Sequence, residues 1–245
     1  MAFWNTPRKW QDKMLPKCSM VVAAAGGSTR MDGQDKLFAS LSGVPVLVRT
    51  LRAIDEAALV SEIVVAARES SMEQIAELCA RCALHKPIKV VQGGDSRTAS
   101  VLAAALECDP KSSLIAVHDG ARPLVCPELI DTMIRAGHRT QAAAPAVPVT
   151  DTIKIADEGG TVLSTPERSS LYAIQTPQVF QADLLKAALQ AALTAGAAVT
   201  DDCAAVERLG KQVWLIEGDR SNIKITTPAD LAVAEALLRQ REAVQ

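Results

Sequence analysis

The chain has 245 residues, of which 49% are hydrophobic and 22% charged, which is enough to bury the core of one α/β domain. Its 26 lysine and arginine residues are balanced by 28 acidic residues, and no basic stretch is interleaved with aromatic residues, so we expect no binding of nucleic acid. No apolar run approaches the ~20 residues that cross a bilayer, and the polar N-terminal extension (about residues 1–17) lacks the apolar segment of a signal peptide, so we expect a cytoplasmic protein with no membrane partner.

Short apolar runs alternate with segments of helical periodicity along most of the chain. The predicted strands are residues 18–25, 62–67, 88–91, 114–118, 142–149 and 212–217. The predicted helices are residues 46–57, 72–84, 96–107, 127–137, 182–195, 202–210 and 228–241. This alternation predicts a mostly parallel sheet with helices on both faces. We therefore predict a single domain over residues 1–245, of the α/β class, with a doubly wound, Rossmann-like sheet.

Residues 151–164 break the alternation. They form two short apolar stretches around Asp157-Glu158-Gly159-Gly160, a turn cluster typical of a hairpin. A hairpin placed so late in an α/β domain is expected to project as an arm. Its apolar residues Ile153, Ile155 and Val162 would need a partner to cover them, so we predict a homodimer.

Six cysteines are scattered through the chain, and Cys79 and Cys82 form a C-x-x-C pair. Such a pair can be redox-active or bind metal. The surrounding residues are rich in alanine and helical in period, and no second pair completes a zinc site. We expect both thiols to be reduced and packed against a helix face.

The loop that follows the first predicted strand, residues 24–36 (AAGGSTRMDGQDK), carries a strong chemical signal. Small residues let backbone amides approach an oxyanion, and Arg30 and Lys36 add two positive charges. The loop is neither a Walker A motif nor a G-x-G-x-x-G motif. It indicates a polyphosphate ligand.

Three further polar clusters follow predicted strands, and ligands collect at that edge of such sheets. The cluster at residues 93–100 (GGDSRTAS) is consistent either with a helix capped by Asp95 or Ser96, or with a cradle for a base or ribose to which Ser100 donates. Asp119 ends the next predicted strand and could bind Mg²⁺ or a sugar hydroxyl, because an unused buried carboxylate is costly. The neighbouring His118 is expected to be packed or capping, and the last cluster surrounds Lys224.

These clusters belong to seven motifs that stand in one order: AAAGGSTRM with a later lysine, QGGDSRTAS, HDGARP, PVTDTIK, QTPQVF, TDD and NIKITTP. From about Met20 to about Glu235 the chain thereby resembles the 2-C-methyl-D-erythritol 4-phosphate cytidylyltransferases. The resemblance implies transfer of CMP from CTP to that polyol phosphate, with release of pyrophosphate. It also implies Mg²⁺ held mainly by phosphate oxygens and water, and a homodimer with a projecting arm.

The resemblance assigns site residues by matching positions. Arg30 and Lys36 would be catalytic and stabilise the charge on the α-phosphate. The nucleotide-binding positions would be Ala24, Ala25, Gly26, Gly94, Asp95, Ser100 and Gly120. The acceptor-binding positions would be Asp119, Arg122, Thr152, Arg168, Thr176, Thr200 and Lys224. No protein ligand for a metal is implied, and Asp35 replaces the proline that usually precedes the catalytic lysine.

Four other functions are compatible with parts of the sequence. A ribitol 5-phosphate cytidylyltransferase would share the fold, CTP and most motifs, and a sugar-phosphate nucleotidyltransferase using UTP or TTP would share fewer. A nicotinamide-dependent oxidoreductase lacks the required glycine fingerprint. A non-catalytic, nucleotide-binding regulatory domain would not need paired cations on a phosphate loop.

Overall fold

The computed structural model describes residues 17–26 and 35–243. The strands are β1 (Cys18–Ala24), β2 (Ser40–Leu41), β3 (Val44–Pro45), β4 (Val60–Ala67), β5 (Ile88–Gln92), β6 (Leu114–Asp119), β7 (Ala142–Pro148), β8 (Ile155–Ala156), β9 (Val162–Ser164), β10 (Tyr172–Ile174), β11 (Gln178–Gln181) and β12 (Trp214–Glu217). The helices are α1 (Val46–Glu56), α2 (Met72–Arg81), α3 (Arg97–Leu106), α4 (Pro127–Thr140), α5 (Ala182–Thr194), α6 (Asp202–Arg208) and α7 (Pro228–Glu242). Every predicted strand and helix is present, with ends within about three residues of those predicted from periodicity.

Eight strands form one sheet: seven follow the order β10-β7-β11-β6-β1-β4-β5, and the eighth, β12, also pairs with β7. β1 is parallel to β4 and β6, β4 to β5, and β12 to β7. β10 and β11 are antiparallel to their neighbours and were not predicted. The predicted mostly parallel, Rossmann-like sheet is confirmed. Because parallel strands end at one edge, the loops after β1, β4, β5 and β6 meet there.

Helices cover both faces of the sheet, which explains why its central strands are apolar throughout. Along β1, Met20 and Val22 belong to one core cluster, and Val21 belongs to the other. All three side chains are fully buried. Burying a side chain of this size stabilises the fold by about 1.5–3 kcal/mol, so β1 anchors the loop that follows it.

One helix lies very close to the sheet. A Cβ atom built on Gly137 of α4 would approach Val179 of β11 to 2.5 Å, which no side chain tolerates. The glycine therefore lets α4 pack directly on the antiparallel strand that β6 and β7 enclose. This packing fixes β11, and with it the polar segment that precedes β11 at the carboxyl edge.

The predicted hairpin is present as β8 and β9, which pair antiparallel to each other only. Its turn is closed by the Asp157 carboxylate, which accepts a hydrogen bond from the Thr161 amide at 2.8 Å. Ile155 and Val162 are about half exposed, at 50% and 54%. The arm thus presents apolar surface that nothing in the described part of this chain covers.

The structure also bears on the C-x-x-C pair and on membrane-spanning helices. Cys79 is buried in α2, where burial raises the pKa of its thiol to about 11, and Cys82 caps the same helix. None of the helices in the described part of the chain combines the length and apolarity needed to cross a bilayer.

Candidate active site

The carboxyl edge of the sheet encloses a cavity of about 310 Å³ beside the end of β1. Most of the predicted nucleotide-binding residues line it: Ala24, Ala25, Gly26, Gly94, Asp95 and Ser100. The catalytic candidate Lys36 also lines it, whereas the other candidate, Arg30, lies outside the described residues. Small residues at the strand ends leave backbone amides accessible on one side of the cavity, and lysines supply charge on the other.

The loop after β5 is held in place by the start of α3. Ser96 caps this helix by accepting the Ala99 amide at 3.1 Å, so Ser96 rather than Asp95 is the N-cap. The Ser100 hydroxyl lies 3.1 Å from both the amide nitrogen and the carbonyl oxygen of Gly94. A Cβ atom on Gly94 would approach Ala99 to 2.6 Å. The loop therefore packs so closely on α3 that only glycine fits at position 94, and the Ser100 hydroxyl is hydrogen-bonded to the Gly94 backbone.

Asp119, at the end of β6, is surrounded by three cations. Lys224 and Arg122 approach one carboxylate oxygen at 3.0 and 3.3 Å, and Arg97 approaches the other at 3.4 Å. Burial alone would raise the pKa of this carboxyl group, but Lys224, Arg97 and Arg122 together hold it well below its ordinary value. Asp119 is therefore ionised, and its oxygens are committed to cations.

Lys224 is fixed by anchors on both sides. The Ile225 amide donates to the Ala121 carbonyl oxygen at 2.8 Å, and Arg122 donates to the Asn222 carbonyl oxygen at 2.7 Å. These bonds tie the NIKI segment to the loop after β6. The lysine remains 38% exposed, so its charge can reach a ligand as well as Asp119.

His118 and Thr176 are linked to the backbone of Asp119 by two internal hydrogen bonds. The Thr176 hydroxyl oxygen accepts the Asp119 amide at 3.1 Å and lies 2.9 Å from His118 Nδ1. We assign the hydroxyl proton to the Thr176–Nδ1 bond, which leaves His118 neutral with its proton on Nε2. Burial lowers the pKa of His118 to about 4, as expected of a packed histidine.

A second cavity, of about 160 Å³, adjoins the first and shares Arg97, Asp119 and Lys224 with it. It is lined by the predicted acceptor-binding residues Asp119, Arg122, Thr176, Thr200 and Lys224. Thr200 is exposed, whereas Thr176 is 4% exposed. The structure thus brings together most of the acceptor-binding candidates at one place.

Three candidates lie elsewhere. Thr152 and Arg168 are exposed at the base of the arm and line neither cavity, and one Arg168 nitrogen donates to the Thr150 carbonyl oxygen at 3.1 Å. Gly120 lies just behind the larger cavity, where its amide donates to Ala23 at 3.1 Å. Gly120 therefore shapes the loop, while Thr152 and Arg168 line neither cavity of their own chain.

Arg97 is a central site residue that was not predicted. Besides Asp119 it contacts Asp202 at 2.6 Å, and Asp202 is only 1% exposed. Both carboxylates raise the pKa of Arg97 despite the opposing effect of burial, so its charge is secure. Arg97 is the first residue of α3, where a cation opposes the helix dipole. That mismatch was the available signal of a non-local partner.

Two buried glutamines, also not predicted, fasten the loops around the smaller cavity. Gln175 bonds both the carbonyl oxygen and the amide of Asp219, at 2.8 and 3.2 Å. Gln178 donates to Asp201 at 2.8 Å and accepts the Cys203 amide at 3.2 Å. The two side chains therefore hold the TDD and NIKI segments against the start of β11.

The side chains around the two cavities were compared with the ligands that a metal ion requires. Within residues 17–26 and 35–243, no three histidine, cysteine or carboxylate side chains cluster so as to bind a metal. The carboxylate best placed by sequence, Asp119, is engaged by three cations.

Comparisons with known proteins identify the family to which the chain is similar. The family model for IspD, 2-C-methyl-D-erythritol 4-phosphate cytidylyltransferase, matches residues 18–240. The enzyme of that name from Caldanaerobacter subterraneus subsp. tengcongensis is 46% identical over 224 residues, which cover 91% of this chain and 99% of the relative. The one from Bacillus velezensis is 45% identical over 222 residues, 90% of this chain and 95% of the relative.

Solved structures are similar as well. The crystal structure of a 4-diphosphocytidyl-2C-methyl-D-erythritol synthase from Anaerococcus prevotii matches with a TM-score of 0.81 and 32% identity, covering 91% of this chain and 99% of that one. The 2-C-methyl-D-erythritol 4-phosphate cytidylyltransferase from Thermus thermophilus matches with a TM-score of 0.73, 32% identity and the same coverage.

Proposed function

The chain belongs to the 2-C-methyl-D-erythritol 4-phosphate cytidylyltransferase family, and we propose that it transfers CMP from CTP to 2-C-methyl-D-erythritol 4-phosphate with release of pyrophosphate. The observation that carries this proposal is the pair of adjoining cavities with shared cations at the carboxyl edge. One cavity suits a nucleoside triphosphate, and the other suits a small anionic acceptor. Their shared lining would bring the two reacting groups side by side.

CTP would occupy the larger cavity. Its phosphates would approach the backbone at Ala24, Ala25 and Gly26, and its nucleoside would lie against Gly94, Asp95, Ser100 and Gly120. Lys36, with Arg30, would stabilise the charge that builds up on the α-phosphate during transfer. The small residues beside the base would exclude purines by size.

The acceptor would occupy the smaller cavity, with its phosphate bound by Lys224 and by Arg168 of the partner subunit. Asp119, Arg122, Thr152, Thr176 and Thr200 would contact its remaining oxygen atoms. The ion pair with Asp119 supports this role for Lys224, because it orients the ammonium group towards both cavities. Asp119 would act on the acceptor mainly through its bound cations.

The reaction needs little proton transfer. The acceptor phosphate is largely ionised near pH 7, so one of its oxygen atoms can attack the α-phosphorus directly. A bond forms between these two atoms, and the bond from the α-phosphorus to the bridging oxygen breaks, which releases pyrophosphate. His118 is fully buried and bonded to Thr176, so it is not available as a base for the substrates. Positioning and charge stabilisation carry the rate.

Mg²⁺ would complete the site by binding phosphate oxygens of CTP and water, which fits the lack of a carboxylate cluster in the described residues. When bound, it neutralises part of the triphosphate charge. Lys36 and Lys224, which both line the larger cavity, would neutralise a further part of it. We further propose a cytoplasmic homodimer in which the arm of one chain covers the other.

One assay tests the proposal: pyrophosphate release with Mg²⁺, each nucleoside triphosphate and a panel of polyol phosphates. We expect CTP with methylerythritol phosphate to give a higher kcat/KM than CTP with ribitol 5-phosphate, and ATP and GTP to be poor donors. A preference for ribitol 5-phosphate would overturn the acceptor assignment and leave the reaction class standing. Binding of a nicotinamide cofactor without nucleotidyl transfer would overturn the proposal as a whole.

A further inference from the structure

Arg68 lies at the carboxyl edge of the sheet but has no part in the site described above. It follows Ala67, the last residue of β4, which pairs with Ala24 on one side and Gln92 on the other. The Ala67 carbonyl oxygen accepts the Gly93 amide at 2.7 Å. Arg68 therefore starts between the two loops that enclose the larger cavity.

The guanidinium group of Arg68 forms an ion pair and hydrogen bond with the carboxylate of Asp35, the residue directly before Lys36. The Asp35 side chain is 18% exposed and that of Arg68 is 36% exposed. At these exposures the pair is partly accessible to solvent, so dissolved ions can still screen part of the Asp35 charge. The pair joins the end of β4 to the segment that carries the catalytic candidate.

The same carboxylate also shapes the backbone around Lys36. Its other oxygen accepts the Leu37 amide at 3.1 Å, and the Asp35 carbonyl oxygen accepts the Phe38 amide at 3.0 Å. Leu37 is 2% exposed and packs in the core. Lys36 therefore lies between Asp35, whose side chain closes a turn, and Leu37, which is buried in the core.

A carboxylate next to this lysine is a hazard for the proposed chemistry. Without a counter-charge it would repel the triphosphate and attract the Lys36 ammonium group. A proline at this position would restrain the backbone without adding charge. Asp35 restrains it with a side-chain hydrogen bond, at the cost of a negative charge that has to be neutralised.

We propose that Arg68 is a positioning residue for Lys36, which it serves by binding and neutralising Asp35. The inference rests on the proposed function, because it takes Lys36 to act on the triphosphate of CTP. It assigns Arg68 no contact with substrate. The effect of replacing Arg68 should therefore depend on Asp35. Where the charge of Asp35 is absent, replacing Arg68 should no longer change kcat/KM for CTP.

The test is Arg68→Gln in two backgrounds, the natural chain and Asp35→Asn, which keeps an oxygen for the Leu37 amide but carries no charge. In the natural chain, Arg68→Gln should lower kcat/KM for CTP about tenfold, and KM for the acceptor should change less than twofold. In the Asp35→Asn background, the same substitution should change kcat/KM less than twofold. Direct titration with CTP and Mg²⁺ should show the same pattern in affinity.

Ionic strength supplies an independent readout. The loss caused by Arg68→Gln in the natural chain should shrink several-fold between 50 mM and 500 mM salt, because the exposed part of the Asp35 charge is screened. Arg81→Gln is the matched control: Arg81 is 78% exposed in α2, and its loss should leave all these quantities unchanged. Thermal unfolding checks that each variant is folded.

The outcomes separate the inference from the function on which it rests. Equal losses in both backgrounds, a loss that salt does not change, or no loss at all would overturn the role of Arg68 while CTP transfer by the natural chain stands. A natural chain that neither binds CTP nor releases pyrophosphate would overturn the proposed function and this inference together.

Discussion

Asp119 shows how a buried carboxylate can serve a site for anionic substrates without repelling them. Its charge is shared among Lys224, Arg97 and Arg122, which hold its pKa low and are in turn oriented by it. The carboxylate therefore acts as the scaffold on which cations are mounted. Removing a partner from such a group leaves a buried charge uncompensated, which costs more than the pair itself contributes.

Replacing Lys36 should affect the chemical step more than binding. We expect Lys36→Ala to lower kcat by roughly 10²–10³, the size of effect seen when one donor to a developing oxyanion is lost. Lys36→Arg should retain only part of the rate, because the planar guanidinium group of arginine differs in shape from the compact ammonium group of lysine. Steady-state kinetics with Lys111→Ala, an exposed lysine far from both cavities, gives the baseline. A near-normal kcat for Lys36→Ala would show that the assigned role is wrong.

His118 should make stability depend on pH between about 4 and 6.5. Its folded-state pKa is lowered to about 4, so below pH 6.5 the unfolded chain binds a proton that the folded chain does not. The free energy of unfolding should fall by about 3 kcal/mol as the pH drops through this window, and be constant with respect to this group above it. Denaturant unfolding from pH 4.5 to 7.5, at one protein concentration, measures the slope.

His118→Asn supplies the comparison for that slope, because its side-chain oxygen can still accept the Thr176 hydroxyl. Its absolute stability will be lower, but its slope between pH 6.5 and 4.5 should be flatter than that of the natural chain by up to about 1.4 kcal/mol per pH unit. Equal slopes for His118→Asn and the natural chain would contradict a neutral, buried His118.

Local sequence identified the candidates that follow strands, but not the partners that fix them. Lys36, Asp119 and Lys224 could be chosen because charged residues after apolar runs collect at one edge. Arg97 was missed because its partners lie 22 and 105 residues away along the chain. Nothing in its immediate neighbours names Asp202. Only the fold brings them together.

At the scale of elements, periodicity predicted the parallel strands and the helices, and it failed at β10 and β11. These strands have three and four residues, too few to show an alternation, and Pro177 lies between them. Their stability comes from pairing with β6 and β7, tens of residues earlier. An element that is stabilised by distant neighbours leaves little trace in its own sequence.

The arm is the element whose role depends most on a second chain. We expect Ile155→Lys combined with Val162→Lys to shift the proposed dimer to monomers, because the partner would otherwise cover the two apolar side chains. Sedimentation velocity over a dilution series measures the shift. Leu106→Lys is the control, since Leu106 is 61% exposed but lies on α3. A natural chain that is monomeric at every concentration would show that the dimer prediction is wrong.

On the scale of the whole molecule, one chain forms both cavities. Two of the proposed acceptor-binding residues, however, do not line either cavity of the same chain. Thr152 and Arg168 lie at the base of the exposed arm. In an isologous dimer, each arm reaches the other subunit, and each site can be completed by the partner. The positions of these two residues are consistent with such a composite site, which remains a prediction.

Mixing two inactive variants tests the composite site. If Arg168 serves the site of the partner subunit, a mixed dimer of Lys36→Ala with Arg168→Ala has both lesions in one site and none in the other. Refolding the two proteins together should then recover roughly a quarter of the natural activity when subunits pair at random. If each chain instead supplies Arg168 to its own Lys36, every site has one lesion and activity stays low. Native mass spectrometry of differently tagged chains must establish that mixed dimers form, and inactivity in their presence would rule out the shared site.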